Sequence, residues 1–294
     1  MPGGTFEADV QVQHLLLLPH VRVIAPALGV VDGEVAFRLS LRGTLTHPQG
    51  EGVLHVTSLR WQQHTLGEVH SQLRADGTAM GVDLHWRDQK RELLHLYGDV
   101  ALDARQELAL QLQAAAVDLQ VLPAFSAAVA QSAGTLQLDL RLAGTLQQPQ
   151  AYGTLRLDNG VLQLAATGVQ CKTIQIQMVC TGQRVELTRL HAESGDGSLD
   201  LTGWAESAQL TLQRLDLILQ MHQFTLMHTP HLEAVASAVV TLRGSLEEMV
   251  ATGTVTVPRA RPVAWQDRRW IGSSPTLATD GGRRVRFGAT KDDG

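Results

Sequence analysis

The sequence has few aromatic residues, few cysteines and no excess of charge of one sign. Aromatic residues make up 4% of the 294 positions against 44% for all apolar residues, so the apolar content is mostly aliphatic and gives few platforms for stacking bases or sugars. A net charge of -5 and a pI near 6.2 give no reason to expect a nucleic-acid partner. The composition is that of an ordered protein with aliphatic surfaces.

The sequence also lacks a signal segment, a membrane-spanning run and a clear disulfide. Residues 1–10 carry acidic residues and no basic region, which excludes a secretory signal there. The most apolar stretch, residues 14–31, is interrupted by prolines and an arginine, so we expect no membrane span. Cys171 and Cys180 lie in one extended run, where a rise of ~3.3 Å per residue puts them beyond disulfide reach. Two free thiols are predicted.

A ten-residue pattern that begins and ends with glycine occurs twice. Residues 43–52 read GTLTHPQGEG and residues 144–153 read GTLQQPQAYG, which is 101 positions apart (144 minus 43). A weaker copy, GSLEEMVATG, falls at residues 244–253. Proline cannot donate to a strand ladder and glycine permits tight bends. The pattern therefore predicts a connection between strands and carries no chemistry of its own.

Each strong copy follows an alternating run, EVAFRLSLRG at residues 34–43 and TLQLDLRLAG at residues 135–144. Alternation of apolar and polar residues predicts strands buried on one side. Similar runs follow each turn and recur further along the chain. The apolar positions of the clearest runs form the candidate lining of a lipid groove: Val35, Phe37, Leu39, Leu41, Leu136, Leu138, Leu140, Leu142, Leu155, Leu157, Ile174, Ile176 and Met178.

Short helical segments are expected before the alternating runs. They are predicted at residues 19–28, 123–131 and 230–236. With the glycine pattern, they divide the chain into the end of a preceding repeat (1–32), repeat one (33–133), repeat two (134–233), a partial repeat three (234–272) and a disordered tail (273–294). Because this frame starts and stops in mid-unit, we expect the chain to be a fragment of a longer array.

The apolar face of such strands must be covered by a second sheet, by helices or by a ligand. Too few helices are predicted to cover it. Two alternatives remain open from the pattern alone: a closed sandwich or solenoid core, and an open groove filled by something apolar. An open groove of this length would exceed the few hundred Å² of contiguous apolar surface that soluble monomers tolerate, and acyl chains would fit it.

No residue pattern indicates catalysis or a metal. His222, His228 and His231 form the densest histidine group, but spacings of six and three match neither a helical pair nor a zinc frame, which favours solvated side chains. Residues 194–198, SGDGS, favour a turn between strands over a calcium loop. No nucleophile comes with a candidate base in a recognisable frame. We expect neither an enzyme, nor a cofactor, nor a metal site.

The order of these features over about 100 residues resembles the TamB-like translocation and assembly module family. The alternating strand and Gly-Thr-Leu turn are followed by LDNG at residues 157–160, SGDGSL at 194–199 and LTG at 201–203. The resemblance is strongest over residues 133–203 and good over 33–60. This family lies within the AsmA-like bridge-type lipid transfer proteins of Gram-negative envelopes.

The resemblance implies an all-β fold, an elongated repeat-built β-taco or open groove-shaped sheet with short helices between repeats. It implies a periplasmic segment of a bridge-like phospholipid transport protein between the inner and outer membranes. An inner-membrane anchor is implied upstream, and an outer-membrane barrel partner through regions not recognised in this sequence. The alternative is a structural or chaperone module for the assembly of outer-membrane or autotransporter β-proteins, acting through its strand edges.

Overall fold

In the computed structural model, the described residues are 5–16, 31–44, 47–61, 64–88, 91–126, 128–208, 211–229, 232–245, 248–261 and 285–288. Nearly all of them lie in strands, which confirms the all-β class. The strands are β1 (Phe6–Leu16), β2 (Val31–Thr44), β3 (His47–Trp61), β4 (His64–Asp76), β5 (Ala79–Asp88), β6 (Arg91–Ala101), β7 (Leu108–Asp118), β8 (Val129–Gly144), β9 (Pro149–Leu164), β10 (Gln170–Gly182), β11 (Arg184–Ser194), β12 (Gly197–Ala208), β13 (Thr211–His228), β14 (Glu233–Gly244), β15 (Glu248–Arg261) and β16 (Val285–Gly288).

The chain divides into two compact units. Unit 1 holds Met1–Phe125 with Leu136–Thr154, and unit 2 holds Ser126–Thr135 with Leu155–Gly294, so β8 and β9 contribute residues to both. Within unit 1, β1 to β7 pair antiparallel in chain order. Within unit 2, β10 to β16 do the same. Each unit is therefore an open meander in which strands pair with their chain neighbours.

The repeated glycine pattern has the same side-chain hydrogen bond in all three of its copies. In each, the hydroxyl of the second residue accepts a hydrogen bond from the amide three residues later: His47 to Thr44 at 3.2 Å, Gln148 to Thr145 at 3.1 Å and Glu248 to Ser245 at 3.2 Å. The first glycine of each copy, Gly43, Gly144 or Gly244, has a positive φ of 114°, 79° or 140°. The predicted role as a connection between strands is confirmed.

Positive φ angles within the strands also occur at repeated positions. Ser58 and Asn159 are 101 positions apart (159 minus 58), and both have φ 52°. Gly33 and Gly134, with the same offset, also have positive φ. The pairing of β2 with β3 shifts register beside Gly33, and that of β3 with β4 shifts beside Ser58. Bulges bend a strand and raise its local twist. The repeat boundaries stay a prediction.

Helical structure is shorter than predicted. A 3₁₀ turn at Leu119–Val121 leads into an α-helix at Leu122–Phe125, and β8 begins at Val129. The helix predicted at residues 123–131 is therefore wrong beyond Phe125. A recurring helix between repeats stays a prediction, because the segment at residues 19–28 lies outside the described residues.

The helix predicted at residues 230–236 is wrong from Glu233 onward, where β14 begins. Ala236 and Ala238 lie opposite Phe224 and Met221 of β13 on the apolar side. Cross-strand packing therefore overrides the helical preference of alanine. In the tail predicted to be disordered, Val285–Gly288 form β16 and pair with residues 248–251 of β15. The rest of residues 273–294 lies outside the described ranges.

Two further expectations from the sequence concern thiols and membranes. Cys171 and Cys180 both lie on β10 and are free, as predicted. Burial raises the pKa of both thiols, which lowers their reactivity at neutral pH because the thiolate is the nucleophile. No helix within the described ranges is long and apolar enough to cross a bilayer.

Candidate functional site

One face of unit 1 is aliphatic from β2 to β7. Directly opposed residues of antiparallel strands share a face, so the register defines it. One cross-strand row runs through Val35, Val56, Val69, Trp86 and Leu94, and the next through Phe37, Leu54, Ser71, Leu84, Leu96 and Leu112. Ser71 is the one polar member of these two rows and is 4% exposed. We call these rows, with Leu39 and Leu41 of β2, the aliphatic face of unit 1.

The predicted positions on β8 alternate in exposure as the sequence indicates. Leu136, Leu138, Leu140 and Leu142 are half-buried, whereas the intervening residues Gln137, Asp139 and Arg141 are exposed. These residues belong to unit 1. On β9, Leu155 is half-buried and Leu157 is 6% exposed, and both belong to unit 2. The predicted one-sided burial is confirmed for β8.

Unit 2 has an aliphatic face of the same kind. One row runs through Ile176, Leu190, Leu201, Leu219 and Val240, and the next through Met178, Leu187, Gly203, Leu217, Leu242 and Ala251. A third row holds Cys180, Val185, Ala205 and Leu215. These rows define the aliphatic face of unit 2. The predicted groove lining named residues of β10 but none of β11 to β15. The register shows that residues of these later strands lie on the same face as Ile176 and Met178 of β10.

Ile174, the remaining predicted position on β10, lies next to a bulge, and the backbone of β9 comes close to its side chain. Thr173 has φ 53°, and the register of β10 with β11 shifts between Lys172 and Gln175. A Cβ added to Gly160 of β9 would lie 2.7 Å from the Cβ of Ile174. Because no real Cβ tolerates that distance, glycine is required for β9 to approach Ile174.

Neither aliphatic face is sealed by a second layer within the described parts of the chain. No large side chain there is fully buried. Val35 is 7% exposed, Val56 9% and Leu215 8%, but most other members of the two faces are only half-buried. A sandwich core would bury its leucines and valines almost completely. Cross-strand neighbours on the same face account for the partial burial.

Histidines that are far apart in the sequence are brought together on β3 to β6. His222 and His228, which were predicted to be solvated, lie on β13 and are exposed, and His231 is outside the described residues. In unit 1, cross-strand register instead aligns His55, His70, His85 and His95 on the polar face of β3 to β6. Asp83, His85 and His95 could hold a metal ion. Their spacing along the chain has no local period, so the sequence pattern did not reveal them.

A surface depression in unit 2 has the wrong lining for an acyl chain. It has a volume of about 300 Å³ and includes Lys172, Glu193, His228 and Glu233. It is bordered by the turn at residues 194–198, which joins β11 to β12 as predicted, with Ser194 paired to Gly197. Charged side chains and a backbone turn do not accommodate hydrocarbon. The aliphatic faces remain the best candidates for binding.

One segment of the chain matches a known protein family. Residues 183–269 match the family model described as the TamB C-terminal domain. The match covers under a third of the chain and includes β11 to β15. It confirms the resemblance seen in the sequence, with which it overlaps over residues 183–203. No solved structure matches the chain significantly.

Proposed function

We propose that this chain, whose residues 183–269 match the TamB C-terminal domain, is a periplasmic part of a bridge-like phospholipid transport protein. The match to the translocation and assembly module family supports a role for this chain in the cell envelope. The observation that supports lipid as the cargo is the aliphatic face itself, which in each unit crosses strand after strand with half-buried leucines and no second layer in the described residues. Acyl chains would cover this surface while the headgroup stays in water.

A groove requires that the sheet bend toward its apolar side. The bulge at Ser58 of β3, which lies opposite Gly33 of β2, and the bulge at Thr173 of β10 supply local bending and twist. We infer that they curve each unit so that its aliphatic face is the concave lining. A repeat-built groove is the architecture that follows from this curvature and from the recurring turns.

Transport along such a lining needs no catalytic residue and no cofactor. Hydrophobic attraction is proportional to apolar area and has no direction, so a uniform aliphatic wall gives nearly the same free energy at each step. Barriers between successive positions are then low. The chain would act as a binding and transport module and not as an enzyme.

The rest of the transport system follows from the same proposal. The full protein would be tethered to the inner membrane upstream of this segment and would meet an outer-membrane barrel through other regions. Phospholipid moves between the two membranes, and this chain supplies part of the path in the periplasm.

Photo-crosslinking tests the proposal with neighbouring residues on opposite faces. A photoreactive residue at Ile176 should capture phospholipid, whereas one at Gln177, which is exposed on the other face of β10, should not. Leu138 and Asp139 of β8 form a second matched pair. Native mass spectrometry of the purified chain should show bound phospholipid.

Two outcomes would contradict lipid transport. Equal capture at Ile176 and Gln177 would show that the aliphatic face is not the binding surface. Capture of polypeptide along strand edges, without lipid at Ile176, would support the alternative module for assembly of β-proteins.

A further inference from the structure

Four histidines form a continuous row across the polar face of unit 1. His55 of β3 lies opposite His70 of β4, His70 opposite His85 of β5, and His85 opposite His95 of β6. The rings of His85 and His95 are stacked with centroids 4.1 Å apart at an angle of 15°. The ring of Tyr97 also stacks with that of His95, with centroids 4.5 Å apart. The ring of His95 thus contacts two other rings.

A carboxylate lies at the same end of both stacked rings. Oδ1 of Asp83 is 2.7 Å from Nε2 of His95 and 3.1 Å from Nε2 of His85. The three ligand atoms lie within 4.8 Å of one another. The side chain of Asp83 is 49% exposed, so solvent and solutes can reach this point.

Glu92 determines which nitrogen of His85 carries the proton. Its carboxylate accepts a hydrogen bond from Nδ1 of His85. In neutral imidazole one nitrogen donates and the other accepts. In the neutral tautomer that donates Nδ1–H to Glu92, Nε2 of His85 presents a lone pair to Oδ1 of Asp83, which is also an acceptor. Two acceptors at this distance repel unless a proton or a cation lies between them.

We propose that Asp83, His85 and His95 bind a divalent transition-metal ion, with Glu92 as the residue that orients His85. Two imidazoles and a carboxylate suit Zn²⁺, Ni²⁺ or Cu²⁺ rather than Mg²⁺ or Ca²⁺. A carboxylate that accepts from the other ring nitrogen is the usual partner of a metal-binding histidine. His95 contributes Nε2 once its proton moves to Nδ1, and water completes the coordination.

Metal binding requires the three side chains to rearrange. In a tetrahedral zinc site with bonds of ~2.0–2.1 Å, ligand atoms are about 3.3 Å apart, whereas Oδ1 of Asp83 lies 2.7 Å and 3.1 Å from the two Nε2 atoms. Rotation of the exposed Asp83 side chain can lengthen these distances. The rings of His85 and His95, which are stacked at 15°, must also turn so that both Nε2 lone pairs point at the same ion.

Calorimetric titration of the purified chain with ZnCl₂, without a histidine tag, tests the site. We expect one strongly bound ion per chain. His95→Gln and Asp83→Asn, two variants that keep the side-chain size, should each abolish this binding. Glu92→Gln should weaken it by about 10- to 100-fold. His191→Gln is the matched control, since His191 also lies 2.8 Å from an aspartate, Asp200, but the described residues place no second histidine with them as a ligand.

Two further measurements make the result unambiguous. Circular dichroism without metal should be the same for all variants, and Co²⁺ should give the absorption of a tetrahedral ion that His95→Gln removes. Absence of strong binding by the native chain would overturn the proposal. So would unchanged binding in both His95→Gln and Asp83→Asn, or an equal loss in His191→Gln.

Discussion

In unit 1 each strand divides its residues between two faces of different character, as Leu54 and His55 of β3 show. The aliphatic face repeats one kind of side chain, and any of its members could be exchanged for another of similar size. The polar face depends on individual contacts, such as those of Asp83 with His85 and His95, which exist only because the register aligns them. One face is defined by its uniformity and the other by its specific pairs.

The comparison indicates where the stability of each unit comes from. On the polar face of unit 2, Glu206 contacts Arg184 and Arg214 at 3.2 Å and 2.9 Å, and Asp216 contacts Arg243 at 2.9 Å. Arg214 and Arg243 are exposed and Arg184 is partly exposed, so each pair contributes little. Apolar burial on the aliphatic side contributes more to the free energy of unfolding. Substitutions on the two faces should therefore differ in effect even at adjacent positions.

The largest difference is expected between Leu138→Asp and Gln137→Asp on β8. A carboxylate at half-buried Leu138 loses hydration and apolar contacts, which should lower the free energy of unfolding by about 2–3 kcal/mol. The same charge at exposed Gln137 should change it by less than about 0.5 kcal/mol. Chemical denaturation measures both values.

Lipid binding should follow the same order. Native mass spectrometry should show bound phospholipid in Gln137→Asp and much less in Leu138→Asp, while Leu140→Arg should behave as Leu138→Asp does. In the full protein, the Leu138→Asp and Leu140→Arg variants should block lipid passage. Equal stability and equal lipid content in Gln137→Asp and Leu138→Asp would contradict the proposal that the two faces differ in stability and in lipid binding.

The aliphatic face was predictable where apolar and polar residues contrast strongly. Leu136 to Leu142 alternate with Gln, Asp and Arg, so period two was clear and the structure confirms it. Around Ala236 and Ala238 the contrast is weak, because the apolar side is alanine and the other side includes Val235 and Val239. The local pattern of that segment consequently favours a helix, although the segment begins a strand.

Bulges and cross-strand clusters were not predictable from local patterns. Ser58 and Asn159 have positive φ without being glycine, and nothing in the alternating pattern distinguishes Ser58 from an ordinary strand position. The histidine row depends on the register of four strands, and its members are 15, 15 and 10 positions apart along the chain (70 minus 55, 85 minus 70, 95 minus 85). Only pairing information brings such residues together.

A smaller effect is expected at the glycines that shape the backbone between the two faces. Gly153 of β9 has φ 135°, and an added Cβ would lie 2.0 Å from the carbonyl oxygen of Asp139. Gly153→Ala should therefore lower the free energy of unfolding by about 1–2 kcal/mol. In the control Gly81→Ala, the nearest atom is the mobile Oδ1 of Asp99 at 3.3 Å, and the change should be about 0.5 kcal/mol or less. Denaturant midpoints compare the two variants, and equal values would show that the backbone at Gly153 adjusts freely.

The smallest effect is expected at an exposed carboxylate of the polar face, at the turn between β4 and β5. Oδ1 of Asp76 accepts hydrogen bonds from the amides of Thr78 and Ala79 at 2.8 Å and 2.9 Å and from the Thr78 hydroxyl at 2.8 Å. The amide bonds, with the hydroxyl bond, lower the pKa of Asp76 from 3.8 to about 2. Because the folded pKa is depressed, this turn contributes its full stability above pH 3.8 and loses it as the pH falls through about 2.

NMR titration of the Asp76 carboxyl should give a midpoint near 2, and Thr78→Val, which removes the hydroxyl donor but keeps both amides, should raise it without restoring the ordinary value. In Asp76→Asn, which cannot titrate, unfolding should depend less on pH across this acid range than in the native chain. A midpoint at 3.8 in the native chain would mean that the turn does not hold its charge in solution. The Asp76 carboxylate would then add nothing to the free energy of unfolding, and the stability of this unit would depend on its aliphatic face alone at this turn.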